Sequence, residues 1–325
     1  MAVIRDDELV GDFKGDPVTS ASSLQHADTL EPWGSRRPIS NAQALRGIAL
    51  PLLQRYRPRA ARRYEMARIC YDKPTAAAFK AVREVPREGL WEWREAVRHH
   101  LRPSEEMTLV DVGAGTGAFA AAFSDWFDIG VVAVEPSAAM RDQILRTAAI
   151  QVFEGDASAI PLPDASADAA WLSLVIHHIP DLAVAAQEIR RVLRPGAPVL
   201  IRQGFPDRYQ PSGILRPDSI ELVRWFPETA RTVATFPSIA DTCEAFAAAG
   251  FHRDALEQVR ETHPTSLADF LGQVDHFRHA DTTMRSLSDD EFLRGKERLR
   301  RAVRDAEKAS HPEPRSNWLD LLVLR

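Results

Sequence analysis

Nine consecutive residues, Leu109 to Gly117, constrain the fold of this chain more than any other stretch. They read LVDVGAGTG: an apolar run that contains Asp111, and then glycines at three alternate positions. The apolar run predicts the end of a buried strand, and Phe119 with the alanines after it predicts the start of a helix. Such a turn gathers bare backbone N–H groups and the positive end of the helix at one place, with no side chains in the way. We therefore expect a loop that holds a nucleotide-like cofactor.

Two kinds of cofactor loop fit this stretch. The dinucleotide fingerprint G-x-G-x-x-G/A, with an acid about 20 positions further on, is matched by Gly113, Gly115, Ala118 and Glu135. The loop typical of S-adenosylmethionine resembles [DE]-x-G-x-G-x-G with an acid after the next strand, and is matched by Asp111, Gly113, Gly115, Gly117 and Glu135. The acid before the first glycine and the alternate third glycine favour the second pattern. A turn that only packs a helix onto a sheet remains a third interpretation.

Six segments follow the loop in order: the end of a short apolar run, a turn, a buried strand, a histidine pair before a helix, a second turn and a last strand. They are Phe153–Ala157, Pro161–Asp164, Asp168–Leu174, His177–Asp181, Leu193–Gly196 and Pro198–Ile201. In this order they resemble the class I S-adenosylmethionine-dependent methyltransferases, in the small-molecule group with a methyltransferase 11 type domain. The resemblance is close from Thr108 to Arg202 and extends more loosely to Arg325.

Strand and helix patterns alternate from Met107 onward, which predicts a parallel sheet with helices on both faces. We place strands at 107–112, 130–134, 150–153, 168–174 and 197–202. The resemblance adds a strand at 253–261 and an antiparallel one at 318–324. The expected fold is therefore α/β: a Rossmann-like seven-stranded methyltransferase sheet, mostly parallel, with an N-terminal helical region and helical lid insertions.

The chain is expected to have three regions. Residues 1–38 form a polar N-terminal arm, 39–102 an N-terminal helical or lid region, and 103–325 the methyltransferase domain. Amphipathic helices are predicted from Thr75 to Val85 and from Leu90 to Leu101. Lid insertions are expected at 203–237 and 265–310, because ligands of open parallel sheets bind beyond the carboxyl ends of the strands. The aromatic residues of the first insertion either form part of a substrate lid or simply pack the insertions onto the sheet; they are Phe205, Tyr209, Trp225, Phe226 and Phe236.

Composition limits the partners of the chain. A net charge of −5 gives no electrostatic case for nucleic acid, and no stretch is apolar over the length of a membrane span. Cys70 and Cys243 are isolated, so neither a disulfide framework nor a cysteine metal site is expected. We expect a cytoplasmic monomer or homodimer without a metal, since a solvated helix face explains His276 and His279 better than metal ligation. The arginine-rich run from Arg55 to Arg68 is likewise assigned to a solvated or interface face.

The resemblance implies roles for the acids around the loop. Asp111 would orient the ammonium group of the cofactor, although it could instead cap the glycine turn. Glu135 would accept both ribose hydroxyls, because a carboxylate has two acceptor oxygens. Asp156 would accept the adenine amino group, although a turn role after Gly155 stays open. The remaining expected cofactor contacts are Gly113, Ala114, Gly115, Gly117, Pro136, Ala157 and Ser173.

Two histidines are the candidate catalytic residues. Transfer of a methyl group from a sulfonium mainly requires alignment of the acceptor and exclusion of water, but a hydroxyl or acidic-carbon acceptor also needs a base. His178, with His177, follows the fourth strand, where the methyl group is expected, and histidine can exchange a proton near neutral pH. Each could instead shape the turn. Asp181 is predicted to cap the next helix.

The expected function is S-adenosylmethionine-dependent methyl transfer of the EC 2.1.1 type. The methyl group would move by in-line SN2 transfer to an O, N or C atom of a small organic molecule such as a secondary metabolite. An NAD(P)-dependent oxidoreductase, a protein or peptide methyltransferase and a non-catalytic cofactor-binding protein remain alternatives. A nucleic-acid base methyltransferase is disfavoured, because the fourth strand ends in SLVIHH from Ser173 to His178 and lacks the Asn/Asp-Pro-Pro-aromatic string.

Overall fold

The computed structural model describes residues 71–83, 87–210, 213–214, 221–263, 265–306 and 315–325. The predicted N-terminal arm at 1–38, Cys70 and the run from Arg55 to Arg68 lie outside these residues. The three-region division of the chain therefore stays a prediction.

Nine strands lie in the described part of the chain. They are β1 (Thr108–Val112), β2 (Gly130–Val134), β3 (Ile150–Phe153), β4 (Ala169–Ser173), β5 (Val199–Gln203), β6 (Tyr209–Gln210), β7 (Gly213–Ile214), β8 (Arg253–His263) and β9 (Arg315–Leu324). Seven of them form one sheet in the order β3-β2-β1-β4-β5-β9-β8, and β6 pairs with β7. β9 runs antiparallel to both of its neighbours, whereas β1 to β5 pair in parallel. The predicted seven-stranded sheet with an antiparallel last strand is confirmed.

Eleven helices occur in the same residues. They are α1 (Lys73–Arg83), α2 (Trp91–Leu101), α3 (Ala118–Phe127), α4 (Ala138–Arg141), α5 (Leu182–Val192), α6 (Glu221–Trp225), α7 (Ala230–Val233), α8 (Ile239–Ala247), α9 (Leu267–Ala280), α10 (Thr282–Arg285) and α11 (Asp289–Ala306). Asp181 caps α5 as predicted, because its Oδ1 accepts from the N–H groups of Ala183 and Val184 at 3.0 Å each. None of these helices is long and apolar enough to cross a bilayer.

Helices cover both faces of the sheet, so alternate strand residues enter two different cores. On one face Val110 and Leu172 pack with α5 and α8. On the other, Leu109 and Trp171 pack with α2 and α3. Burial on both faces explains why β1 and β2 are almost continuously apolar rather than alternating.

The two insertions share a hydrophobic cluster of their own, here called the insertion core. In this cluster Trp225 and Phe226 of the first insertion pack against residues of the second insertion. The buried members from the second insertion are Phe270, Val274, Phe277, Met284, Leu287, Phe292 and Leu299. These two aromatics therefore pack one insertion against the other, and helix α6, which carries Trp225, also contacts β9 of the sheet. Phe205 does belong to a sheet core, whereas Phe236 stacks on His177. The side chain of Tyr209 lies outside the described residues.

Gly295 of α11 is required by the insertion core. A Cβ atom at this position would overlap the Phe226 ring, whereas a Cβ at Gly272 of α9 would meet nothing within 4 Å. We expect Gly295→Ala to destabilise the protein by about 1–3 kcal/mol, because overpacking outweighs the gain in helix propensity. Gly272→Ala is the matched control and should be neutral or stabilising by up to about 1 kcal/mol. Urea unfolding of both variants measures the difference, and equal stabilities would contradict the observed packing.

The second insertion is attached beyond the carboxyl edge of the sheet. β5 pairs with β9 only over Asp320–Leu324, and the first half of β9, Arg315–Leu319, pairs with β8 alone. This two-stranded extension projects about 16 Å past the end of β5. The insertion begins where the extension ends, and its helix α9 contacts α1, which also contacts α4. Elements therefore surround the edge at which β1, β4 and β5 end.

Candidate cofactor and active site

The glycine loop uses much of its hydrogen-bonding capacity inside the protein. The N–H groups of Gly113 and Ala114 both donate to the carbonyl of Val134, at 2.8 and 3.1 Å. The N–H of Gly115 donates to Oε2 of Glu135 at 2.9 Å. The expectation of bare N–H groups is therefore wrong for these three residues, because the end of β2 lies close enough to accept them. What remains for a ligand is a backbone surface that can be approached closely.

Only one of the three glycines faces open space. Gly113, Gly115 and Gly117 all have positive φ, at 74°, 57° and 81°. A Cβ at Gly113 would overlap Val175, and one at Gly117 would lie 2.7 Å from Cγ2 of Ile144, so internal packing requires both glycines. A Cβ at Gly115 would meet nothing within 4 Å. Gly115 therefore marks the place where a ligand has room against the loop.

Asp111 is a buried acid that forms no ion pair with any residue in the described segments. It is 2% exposed, and its Oδ2 accepts no hydrogen bond from any of the residues that the structure describes. Burial, and to a lesser extent the nearby charge of Glu135, raises the pKa of Asp111 to about 8. The carboxyl group thus keeps its proton to a higher pH than a free aspartate does. Because Oδ2 of Asp111 makes no hydrogen bond to the described residues, this oxygen is better suited to bind a cationic group than to cap the glycine turn.

Glu135 has a structural role that the sequence did not reveal. Its Oε2 accepts from Gly115, as above, and its Oε1 accepts from the N–H of Ser137 at 2.9 Å. Burial raises the pKa of Glu135, and these two hydrogen bonds oppose the rise. Each oxygen still has a second lone pair. Glu135 can therefore hold the loop in place and accept ribose hydroxyls at the same time.

The raised pKa of Asp111 predicts a pH-dependent loss of stability. The folded state holds a proton on this group between about pH 4 and pH 8 that the unfolded chain has lost. Stability therefore falls as the pH rises through this window, by roughly 1.4 kcal/mol per unit at most. We expect Asp111→Asn to gain stability relative to the parent protein between pH 5 and pH 8, in urea unfolding without ligand. A difference between the two proteins that is constant over this range would show that the pKa is not raised.

Asp156, which the sequence predicts to contact the adenine, lies in a compact turn. Oδ1 of Asp156 accepts from the N–H and the hydroxyl of Ser158 at 2.8 and 2.6 Å, so the alternative turn role of Asp156 is supported. Ala157 is buried in the sheet core beside it. Pro136 is exposed after Glu135, and its carbonyl accepts from Arg141 at 2.7 Å. These contacts do not test a cofactor role for Asp156, which remains a proposal.

An ion pair that the sequence did not indicate lies beneath the site. Arg202 of β5 is 6% exposed and donates through Nε to Oε1 of Glu261 on β8 at 2.6 Å. Its Nη1 donates to Oγ of Ser173 at 2.9 Å, and its guanidinium lies 5.3 Å from the Trp93 ring centroid. Ser173 is therefore held by Arg202 at the carboxyl end of β4. Glu261 lies 59 positions from Arg202, so no local pattern could have linked them.

The histidine pair lies in a short 3₁₀ turn, Ile176–His178, after β4. The His177 ring is stacked on Phe236, with centroids 4.1 Å apart and planes 18° apart, and it contacts the His178 ring at 4.1 Å. Nδ1 of His177 is 3.3 Å from Nε2 of Gln203, at the end of β5. The turn adjoins the glycine loop, because Val175 at its start closes over Gly113.

The second histidine pair is remote from these contacts. His276 and His279 are exposed on α9, and neighbouring Asp275 forms an ion pair with Lys296. Within the described ranges no group of three or more histidine, cysteine, aspartate or glutamate residues could hold a metal ion. These positions therefore fit the solvated helix face that the sequence indicated.

The α/β part of the chain matches known proteins. A family model described as a methyltransferase domain matches residues 110–201. An O-methyltransferase of Pyrenophora dematioidea is 32% identical over 123 residues, which cover 34% of this chain and 46% of that protein. A ubiquinone/menaquinone biosynthesis C-methyltransferase of Caulobacter vibrioides is 32% identical over 117 residues, with coverage of 32% and 46%. The chain thus spans about half the length of these curated relatives.

A solved structure shows a likeness in fold over a larger share of the chain. A protein described as a methyltransferase from an antibiotic biosynthesis pathway of Anabaena variabilis superposes with a TM-score of 0.56, covering 71% of this chain and 96% of that chain. At 20% identity this likeness concerns the fold alone. The strand order and the matched domain agree with it. Residues 110–201 therefore match a methyltransferase domain, and the sheet that they help to form supports the fold of a class I S-adenosylmethionine-dependent methyltransferase.

Proposed function

We propose that the protein transfers the methyl group of S-adenosylmethionine to a small organic molecule. The observation that carries the proposal is Asp111, a buried acid with an unbonded oxygen beside a second buried acid, Glu135. A diphosphate needs free backbone N–H donors, whereas those of Gly113, Ala114 and Gly115 already donate inside the protein. A cofactor with an ammonium and a sulfonium group supplies the positive charge that this site lacks. The same contrast disfavours the dinucleotide alternative.

The residues present fit this cofactor. Asp111 would hold the ammonium group, Glu135 the ribose hydroxyls, and the open face of Gly115 would lie against the nucleoside. When bound, the cofactor supplies an activated methyl group on sulfur. Asp156 and Ala157 would meet the adenine, and Ser173 would be a further cofactor contact, as expected from the sequence. Ala114 and Pro136 would add backbone contacts.

The protein's own contribution to the reaction is alignment, exclusion of water and proton removal. Helices α9 and α1 and the extension of β8 and β9 surround the carboxyl edge, which supports a covered site for a small acceptor. His178 would accept the proton of a hydroxyl or acidic-carbon acceptor. The relatives are O- and C-methyltransferases by name, and both reactions fit such a base. A bulky protein acceptor fits a covered edge less well than a small secondary metabolite.

Calorimetry tests the cofactor assignment directly. We expect adenosylhomocysteine to bind and NAD or NADP to show no comparable heat. Asp111→Asn should weaken the binding of adenosylhomocysteine by about 1.5–3 kcal/mol, the scale for a hydrogen bond to a charged group. The same variant should bind 5′-methylthioadenosine as the parent does, because that ligand lacks the ammonium group. Tight NAD binding without adenosylhomocysteine binding would overturn the proposal. If Asp111→Asn lost the same affinity for adenosylhomocysteine and for 5′-methylthioadenosine, Asp111 would not be the residue that binds the ammonium group.

A further inference from the structure

A cleft lies at the amino edge of the sheet, opposite the edge that carries the glycine loop. It has a volume of about 510 Å³, and its walls include Leu193, Pro195 and Gly196 of the turn before β5, and Gly250 after α8. Both glycines have positive φ, and a Cβ at either would meet nothing within 4 Å. Because β1, β4 and β5 are parallel, about one strand length, roughly 16 Å, separates this cleft from the carboxyl edge.

One arginine in the cleft is held by groups that do not neutralise it. Arg190, in the last turn of α5, donates through Nε to the carbonyl of Ala249 and through Nη2 to that of Gly250, at 3.2 Å each. Its guanidinium carbon lies 3.5 Å from the ring centroid of buried Phe251. Within the described segments Arg190 pairs with no carboxylate, and its Nη1 donates to no residue. The cation is therefore fixed in place while some of its donors stay unused.

The other two arginines that line the cleft have acidic partners. Arg191 forms ion pairs with Asp164 and Glu188, at 2.7 Å each. Arg325 donates through Nε to Oδ2 of Asp254 at 2.8 Å. These charges therefore compensate one another within the protein, and Arg190 is the cation of the cleft for which the described residues supply no anion.

Burial lowers the pKa of Arg190, and no carboxylate opposes this effect. A partly desolvated cation without a counter-ion gains more from an added anion than a fully hydrated one does. We propose that the cleft is a second binding site, which takes a small organic molecule through a carboxylate or phosphate group bound to Arg190. The planar guanidinium matches such oxyanions, and Leu193 and Pro195 would border the apolar part of the molecule.

Glycine NMR locates the ligand. The protein is labelled with ¹⁵N-glycine, which limits the spectrum to its 16 glycines. The signals of Gly196, Gly250 and Gly115 are assigned with glycine-to-alanine variants. The probes are benzoate and phenyl phosphate at constant ionic strength, with benzyl alcohol as the neutral control. We expect the anionic probes to shift Gly196 and Gly250 and not Gly115, and benzyl alcohol to shift none of the three. The more tightly bound probe identifies whether the site prefers a carboxylate or a phosphate.

Two substitutions test the cleft in different ways. Arg190→Gln should weaken binding of the probes about tenfold or more, the scale for one lost hydrogen bond between charged groups. Arg301→Gln, at an exposed position of α11, is the matched control and should bind them as the parent does. Gly196→Val keeps the charge of Arg190 but fills the space beside the turn, so it should also lose the probes. Gly115→Val has the same type of backbone strain and should retain them.

Each outcome decides the proposal. Absence of shifts at Gly196 and Gly250 with both anionic probes would overturn it, as would parent-like binding in Arg190→Gln or in Gly196→Val. If Arg190→Gln fails to fold, Gly196→Val alone decides. Displacement of the probes by adenosylhomocysteine would place them in the glycine loop and equally overturn the proposal. Because cofactor binding is read at Gly115 in the same spectra, failure of this inference and failure of the proposed function are distinguishable.

Discussion

Replacement of Gly115 by valine is expected to weaken adenosylhomocysteine binding roughly 100-fold or more, which corresponds to about 3 kcal/mol. The branched side chain would fill the space beside the loop in which a Cβ meets nothing within 4 Å. The protein should still fold, because the substitution overlaps no other residue. Its cost to stability is that of a branched residue at a φ of 57°, about 1–3 kcal/mol.

Gly196→Val separates this steric effect from backbone strain. Gly196 has a φ of 79° and also lacks any neighbour within 4 Å of a Cβ, but it lies in the turn before β5, at the opposite edge of the sheet. Both variants should lose similar stability in thermal unfolding, and only Gly115→Val should lose binding in calorimetry. If Gly115→Val bound adenosylhomocysteine as tightly as Gly196→Val, the cofactor would have to lie elsewhere.

Removal of the His178 side chain is expected to lower turnover about 10²–10⁴-fold, the contribution of a positioned general base. Adenosylhomocysteine affinity should change little, because the proposed role of this ring, in the turn after β4, is toward the acceptor and not the cofactor. Turnover is measured once an acceptor has been found, by the adenosylhomocysteine released from the methyl donor. Binding is measured by calorimetry on the same preparation.

His276→Ala is the matched control, since His276 is an exposed histidine on α9. This variant should retain full turnover. If His178→Ala were nearly as active as the parent enzyme, His178 would not act as a general base. Alignment and desolvation would then account for the catalysis, and the acceptor would be a group that is already nucleophilic, such as an amine or a thiolate.

The features that the sequence predicted well are encoded locally. β2 and β3 begin and end where the apolar runs do, and Asp181 caps α5 as its position before the helix indicates. The glycine loop was recognisable because left-handed backbone conformations favour glycine. In each case a few neighbouring residues determine the structure, so their pattern is visible in the chain.

What the sequence could not predict depends on residues far apart in the chain. The use of the loop's N–H groups depends on where the Val134 carbonyl lies after folding. The separate requirements for Gly113 and Gly117 come from Val175 and Ile144, which belong to other loops. Nothing in the sequence distinguishes these two glycines from Gly115, which faces open space. Tertiary packing therefore gives different structural roles to three glycines that look equivalent in the sequence.

The insertion core has a consequence for how ligands exchange. Its buried aromatic residues form a cluster distinct from the two sheet cores. Parts of a protein with their own cluster can open as a cooperative unit at a lower free energy than global unfolding. Under the proposed function, the acceptor would enter and the product would leave through opening of this unit, while β1 and β2 would keep the glycine loop intact. In native-state hydrogen exchange, the amides of α9 and α11 should accordingly form one group that exchanges before those of the central strands.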